Sequence, residues 1–169
     1  MKITPPTNSN GWLDNYIREV AYTDLCEGLS QEFLTSKTFI ESLDEPKLNF
    51  SYAEGKWTIK EIAGHLCEAE RVFCYRALRF ARKDKTVLPG FDEQLFAQNS
   101  NASKRNIGDL LNEWSDVRQS TLSLYNGFEN EMLDESGNAN NTIMSPRAIG
   151  YSILGHQIHH LKIIKERYF

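Results

Sequence analysis

Apolar side chains recur at three- and four-residue steps through most of this chain, the period of helices buried on one side. Between Gly11 and Leu43 they fall at Leu13, Tyr16, Ile17, Val20, Leu25, Leu29, Phe33, Leu34 and Ile40. That spacing predicts one long first helix, ended by Asp44, Glu45 and Pro46, with Gly28 marking a slight bend or a close contact. A second helix is predicted from Thr58. Thr58 and Glu61 have the spacing of a capping box, and Trp57 precedes them as a hydrophobic staple. Its buried stripe is Ile62, Leu66, Ala69, Val72, Phe73, Ala77 and Phe80, and Arg79, Arg82 and Lys83 suit the negative end of its dipole. A third helix is predicted from near Ser103, through Leu110, Leu111, Trp114, Val117, Leu122 and Leu124, to Asn126-Gly127. The fourth opens at Ser145-Pro146, a cap followed by proline at the first helical position, and runs to about Tyr168.

The connections are uneven. Thr86 to Asn101 is long, contains Pro89-Gly90, and has room for a short helix near Asp92 to Gln98. Glu135 to Asn141 reads as a turn-rich loop before the last helix, placed to border the mouth of a site. Alternating β-branched segments are missing, so no sheet is expected. Four long amphipathic helices and a long crossover connection predict an all-α, four-helix bundle, in one domain over residues 1–169.

Charge removes several functional classes. Lys and Arg total 19 against 23 Asp and Glu, a formal net charge of −4, which argues against binding driven by nucleic-acid phosphates. No run of apolar residues is long enough to cross a membrane. Residues 1–10 lack the apolar stretch of a signal peptide. Cys26, Cys67 and Cys74 cannot all pair and form no CxxC, so reduced thiols and a cytoplasmic location are expected. Cys67 and Cys74 are seven residues apart on a face away from the predicted core stripe, and are expected to be surface or interface thiols. Trp12, Trp57 and Trp114 read as core or interface residues, not as a platform for single strands.

The histidines carry the candidate chemistry. His156 and His160 are four residues apart and project from one face of the last helix, the face shared by Ile149, Ile153 and Ile163. His159 is turned by about 100° and leaves the site or lines its edge. His65 flanks the apolar stripe of the second helix. If these two helices are neighbours, three imidazoles converge, the ligand count of a catalytic zinc site with an open position. Imidazole equally suits nickel, iron and copper. A metal-free bundle with histidines in packing roles is the alternative, although unpaired imidazole nitrogens in a core are costly. There is no HExxH motif, and the Glu-x-x-His pairs of a di-iron bundle are absent.

Residues 56–66 (KWTIKEIAGHL) resemble the second-helix signature of the DinB/YfiT-like metalloprotein superfamily. The segments EAER at 68–71, YRALRFAR at 75–82, LPGFD at 88–92 and GHQIHHL at 155–161 are similar to its YfiT-like branch. The resemblance covers nearly the whole chain and is weakest in the first helix and the third-to-fourth loop. It implies a four-helix bundle, commonly a homodimer, with a divalent metal such as zinc or nickel held by His65, His156 and His160. It implies no DNA-binding activity. The implied activity is metal-dependent hydrolysis, or thiol S-transfer with bacillithiol, mycothiol or glutathione, on a small electrophilic substrate. A non-catalytic metal-binding stress protein, with Glu68 as a fourth ligand, is the competing reading.

Glu68, one turn beyond His65, is the first non-ligand candidate, as a base or as a partner of a ligand. Relatives often have Asp at that position. Its bland alternative is a solvated or ion-paired carboxylate. Arg71, Arg76 and Arg79 are expected to pair with acids such as Glu68 and Glu70 across helices. The alternative is that one of them anchors a carboxylate-bearing thiol or substrate. Tyr75 is expected to pack.

Overall fold

The computed structural model describes residues 2–7 and 11–169. The N-terminal arm read for a signal peptide lies partly outside them, at residues 1 and 8–10. The elements run α1 (Leu13–Ile17), α2 (Leu25–Glu41), α3 (Glu45–Leu48), α4 (Ile59–Ala81), α5 (Glu93–Asn99), α6 (Ile107–Asn126), α7 (Asn130–Leu133), β1 (Gly137–Ala139), β2 (Thr142–Met144) and α8 (Pro146–Arg167).

The long helices start where side chains satisfy their first backbone amides. Asp24 accepts from the amides of Cys26 and Glu27, and Asn106 from that of Gly108. Ser145 accepts from Ala148, ahead of Pro146. The Thr58–Glu61 capping box is complete in both directions.

Three local expectations need correction. The first window is two helices, because Val20 to Leu25 is a five-residue step that one helical face cannot hold, and extended Asp24 caps a new start there. Asp44 and Pro46 do not end in coil: Asp44 caps the one-turn α3, with Pro46 in its first turn. The third long helix begins at Ile107, since Asn101 takes a left-handed conformation (φ 56°) ahead of a separate 3-10 turn at Ala102–Lys104.

A sheet is present after all. β1 and β2 form an antiparallel hairpin with Ala139 opposite Thr142. Asn140 and Asn141, both at positive φ, make the two-residue turn that such a hairpin needs. Three-residue strands carry too little alternation to be read from sequence. Leu88 in the long crossover also pairs with Ala139, which ties that connection to the hairpin.

The four long helices form a closed ring of contacts. α4 packs on α6 and α8, and α2 packs on the same two, so α2 and α4 are diagonal and the chain crosses the bundle between them. α1 lies on α8, and α5 lies on α4. Gly28 is a close contact, since a Cβ there would overlap Leu154 and Tyr22.

The apolar core is in two parts. One gathers Leu29, Phe73, Phe80, Tyr125, Ile149 and Leu154. The other gathers Phe33, Ile62, Leu66, Trp114, Val117 and Ile164. On α4, α6 and α8 the change from one to the other falls at a polar level. That level holds Glu70, Arg118, Thr121 and Gln157, all buried. Glu70 accepts from Trp114 Nε1 (3.0 Å), Arg118 Nε and Nη2 (2.8 Å each) and Thr121 Oγ1 (2.7 Å). Arg118 also donates to the Leu29 carbonyl and to Gln157 Oε1, and Gln157 donates to Ser36.

Candidate metal centre

α4 and α8 are neighbours, and their contact brings His65 to His156 and His160. His156 Nε2 lies 3.0 Å from His65 Nε2 and 3.0 Å from His160 Nε2. One ligating nitrogen from each ring falls within 4.8 Å of the other two. Among the described residues, no carboxylate or thiol belongs to this group. His65 and His156 are buried, and His160 is partly buried.

Burial holds the rings neutral, as a metal ligand must be. It depresses His65 to about 4 and, with the neighbouring His65 and His159, His160 to about 3. His156 is pushed well below the ordinary range, first by burial and then by the other histidines. A neutral imidazole has one N–H and one acceptor nitrogen. Three of them turned on one point cannot pair every lone pair with a proton. A divalent cation of the kind imidazole favours fits that donor set.

Aromatic rings fix the imidazoles. Tyr16 from α1 meets His156 edge-on at 5.1 Å, and Phe73 meets it from α4 at 6.0 Å. Trp57, beside the cap of α4, lies 4.6 Å from His65 and stacks at 6.3 Å on His160. His159 is at the edge, against Tyr16 and His160.

Two cavities reach the histidines. One, of about 210 Å³, is lined by His156 with Trp12, Tyr16, Phe73, Arg76, Phe91, Glu93 and Asn140. The other, of about 220 Å³, is lined by His160 with Tyr52, Lys56, Trp57, Gln94 and Tyr168 among others. The start of α5 borders both, since Glu93 lines the first and Gln94 the second. Asn140 brings the hairpin turn to the first cavity, so the 135–141 segment does border the site.

Other candidates lie elsewhere. Glu68 lines a separate recess with Gly64, Cys67, Ser100, Ala102, Arg105 and Glu113, on the α6 side of α4. Its carboxyl is raised, mainly by burial and then by Glu113, and its Oε2 is buried without a hydrogen-bond partner. The cysteine expectation fails for Cys67, which is buried in the second apolar cluster. α6 covers the face of α4 opposite α8, so that face is not surface. Burial raises the Cys67 and Cys74 thiols to about 12, and Cys74 is partly buried against Thr121. The expected arginine partners also change. Arg71 pairs with Glu113 (2.6 Å), Arg79 with Asp84, and Glu70 is taken by Arg118. Tyr75 is exposed and meets Arg79 rather than packing.

The sequence reading missed Tyr16, Phe73 and Glu93 as lining residues, and named Arg76 only as one of three arginines of which one could anchor a carboxylate. A signal existed for two. Phe73 and Arg76 are eight and eleven residues beyond His65, close to two and three full turns, on the same side of α4. None existed for Tyr16 or Glu93, which reach the site through tertiary contacts.

With this geometry in hand, the chain can be set beside known proteins. A protein of Oceanobacillus iheyensis named "Putative metal-dependent hydrolase" is 25% identical over 153 residues, covering 87% of each chain. A solved structure, YfiT from Bacillus subtilis, described as "a probable metal-dependent hydrolase with an unusual four-helix bundle topology", matches with a TM-score of 0.71. That match is 15% identical and covers 95% of this chain and 89% of the other, so it shows the fold. The family model described as the DinB superfamily matches residues 31–164, and this chain belongs to that superfamily.

Proposed function

We propose that this protein is a divalent-metal-dependent enzyme acting on a small molecule, with His65, His156 and His160 as the metal ligands. The observation that carries the reading is the convergence of three neutral imidazoles at the junction of two cavities. A bound metal would supply an acidified water for hydrolysis or hold a small thiol as thiolate. Hydrolysis is the leading form, in keeping with the names of both similar proteins. S-transfer by a low-molecular-weight thiol is the second. Zinc and nickel are the expected ions.

The chain's own residues divide the remaining work. Tyr16, Phe73 and Trp57 hold the ligand rings in place and exclude bulk water from their faces. The cavity at His156 receives the substrate. A tie between helices would need a closed site with a fourth protein ligand. The two cavities and the separate place of Glu68 favour the enzyme instead. The free Cys26, Cys67 and Cys74 support a reducing, cytoplasmic location.

The test is metal content by mass spectrometry on untagged protein, wild type beside His156→Ala. About one metal per wild-type chain, lost in the variant, is expected for a three-histidine site. A wild-type chain that holds no metal and takes up neither zinc nor nickel would refute the proposal.

A further inference from the structure

Among the described residues two arginines are buried, Arg76 at 3% exposure and Arg118 at 1%, and they are treated differently. Arg118 is matched on every side: two contacts to Glu70, the Leu29 carbonyl and Gln157 Oε1. Arg76 has one protein acceptor among the described residues, the Pro89 carbonyl, 3.0 Å from Nη2. No carboxylate of the described residues forms an ion pair with it. A guanidinium has five N–H donors, and burying its charge without an anion is costly.

Arg76 is not sealed in. It lines the cavity that His156 also lines, with its guanidinium between the Phe73 and Phe91 rings at 5.9 and 5.7 Å. With Nη2 on the Pro89 carbonyl, Nε and Nη1 have no acceptor among the described residues and are donors of the kind an anion takes. Trp12 lines the same cavity, and its buried indole N–H also has no acceptor. Glu93 is the nearby carboxylate on that wall; it acts on Arg76 only at longer range and forms no ion pair with it.

The geometry points to Arg76 as the anchor for a carboxylate on the substrate, with the substrate's apolar body against Phe73, Phe91 and Trp12. The cavity's roughly 210 Å³ is below the range of about 300–1,000 Å³ usual for ligand pockets, so the substrate is a small organic acid. Arg76 is here a binding and positioning residue, which fixes one end of the molecule so that the other faces His156. That this acid is the molecule turned over rests on the proposed function. The anchoring itself does not.

The test therefore uses the full chain stripped of metal, with ligand-observed NMR giving Kd for three probes of similar shape: phenylacetate, benzylphosphonate and benzyl alcohol. Zinc stoichiometry is measured on the same preparations. Phenylacetate should bind about tenfold more tightly than benzyl alcohol, and Arg76→Lys and Arg76→Met should each weaken it by about tenfold. Circular dichroism and zinc uptake should not change. Glu93→Gln should tighten phenylacetate binding, because it removes a like charge from the same wall. Equal binding of phenylacetate and benzyl alcohol, or an unchanged Kd in Arg76→Met, would overturn the anchor. Tighter binding of benzylphosphonate would overturn the carboxylate assignment. Should Arg76→Met not fold, the wild-type probe series and Glu93→Gln still decide. Zinc binding without phenylacetate binding sinks this inference and spares the proposed function. Phenylacetate binding without metal uptake supports the anchor while the proposed function fails.

Discussion

Glu70→Gln is the sharpest test of what holds the bundle at the level of the site. The wild-type carboxylate is 2% exposed and takes four hydrogen bonds, two of them from the buried Arg118. The substitution keeps the volume and removes the charge. Its new amide donors then face the donors of Arg118. Breaking one partner out of a buried ion pair costs about 3–5 kcal/mol, because the remaining charge has no counter-ion. That is a large part of the roughly 5–15 kcal/mol by which such domains are stable. For a chain of this length each kcal/mol lowers Tm by about 2–4 °C, so a fall of roughly 6–20 °C is expected.

The same reasoning predicts that removing both charges is far milder. Adding Arg118→Met to Glu70→Gln removes the guanidinium left without a counter-ion, and the amide oxygen at position 70 still accepts from Trp114 Nε1. What stays lost is the acceptor pairing of Gln157 Oε1, at about 1–3 kcal/mol. The assay is urea unfolding followed by circular dichroism, with ΔG and slope both fitted. Gln157 follows His156 in sequence and is held by Arg118 and Ser36, so the network also sets the rotation of α8. Folded Glu70→Gln should bind zinc more weakly than wild type. A single variant costing under about 1 kcal/mol at an unchanged slope, or a double variant as damaged as the single, would refute the reasoning.

Other expectations follow from the same contacts. In metal-free protein His65, His156 and His160 are depressed on folding, so the unfolded chain binds the extra protons and stability falls as pH drops. The fall begins near the ordinary pKa of about 6.5 and amounts to at most about 1.4 kcal/mol per pH unit for each ring. It continues to about 4 for His65 and about 3 for His160; Tm across pH 7 to 4 checks it, and a flat profile would contradict neutral burial. Gly155→Ala should lower Tm and disturb the cavity at His156, since its Cβ would overlap the backbone carbonyl of Tyr16. A crystal structure of the variant with α1 still seated on α8 would refute that. Glu113→Ala removes the partner of both Arg71 and Arg105, yet all three side chains are about a third to a half exposed, so urea unfolding should show a loss of under about 1 kcal/mol per pair.

Much of this was legible in the sequence where local chemistry decides structure. The Thr58 capping box and the Ser145-Pro146 start use side chains a few residues from the backbone they satisfy, and both helices begin there. The spacing of His156 and His160 is likewise local. Joining them to His65 needed only that α4 and α8 be neighbours. Expectations failed where a distant element decided. Cys67 is buried because α6 covers a face that one helix's periodicity assigns to solvent. The Asn140-Asn141 turn carried a hairpin signal, but three-residue strands beside it gave no alternation to confirm. Arg76 and Arg118 are one residue type on neighbouring helices, and only the fold shows that Glu70 lies against one and an open cavity against the other.

That contrast explains why the site sits where it does. A polar layer across a helical bundle is tolerable when each member is satisfied, and costly otherwise. This layer divides two apolar clusters, and its halves obey different rules. The half built from Glu70, Arg118, Thr121 and Gln157 closes on itself, which fixes the relative placement of α4, α6 and α8. The other half, His65, His156 and His160, faces its own lone pairs, and Arg76 stands in the next cavity without an anion. Unsatisfied groups are kept by a stable fold mainly where a ligand completes them. The closed half supplies the rigidity that lets the open half stay incomplete. On the proposed function and the anchor proposed for Arg76, a cation at the three imidazoles and an anion at the guanidinium complete the two ends of the site.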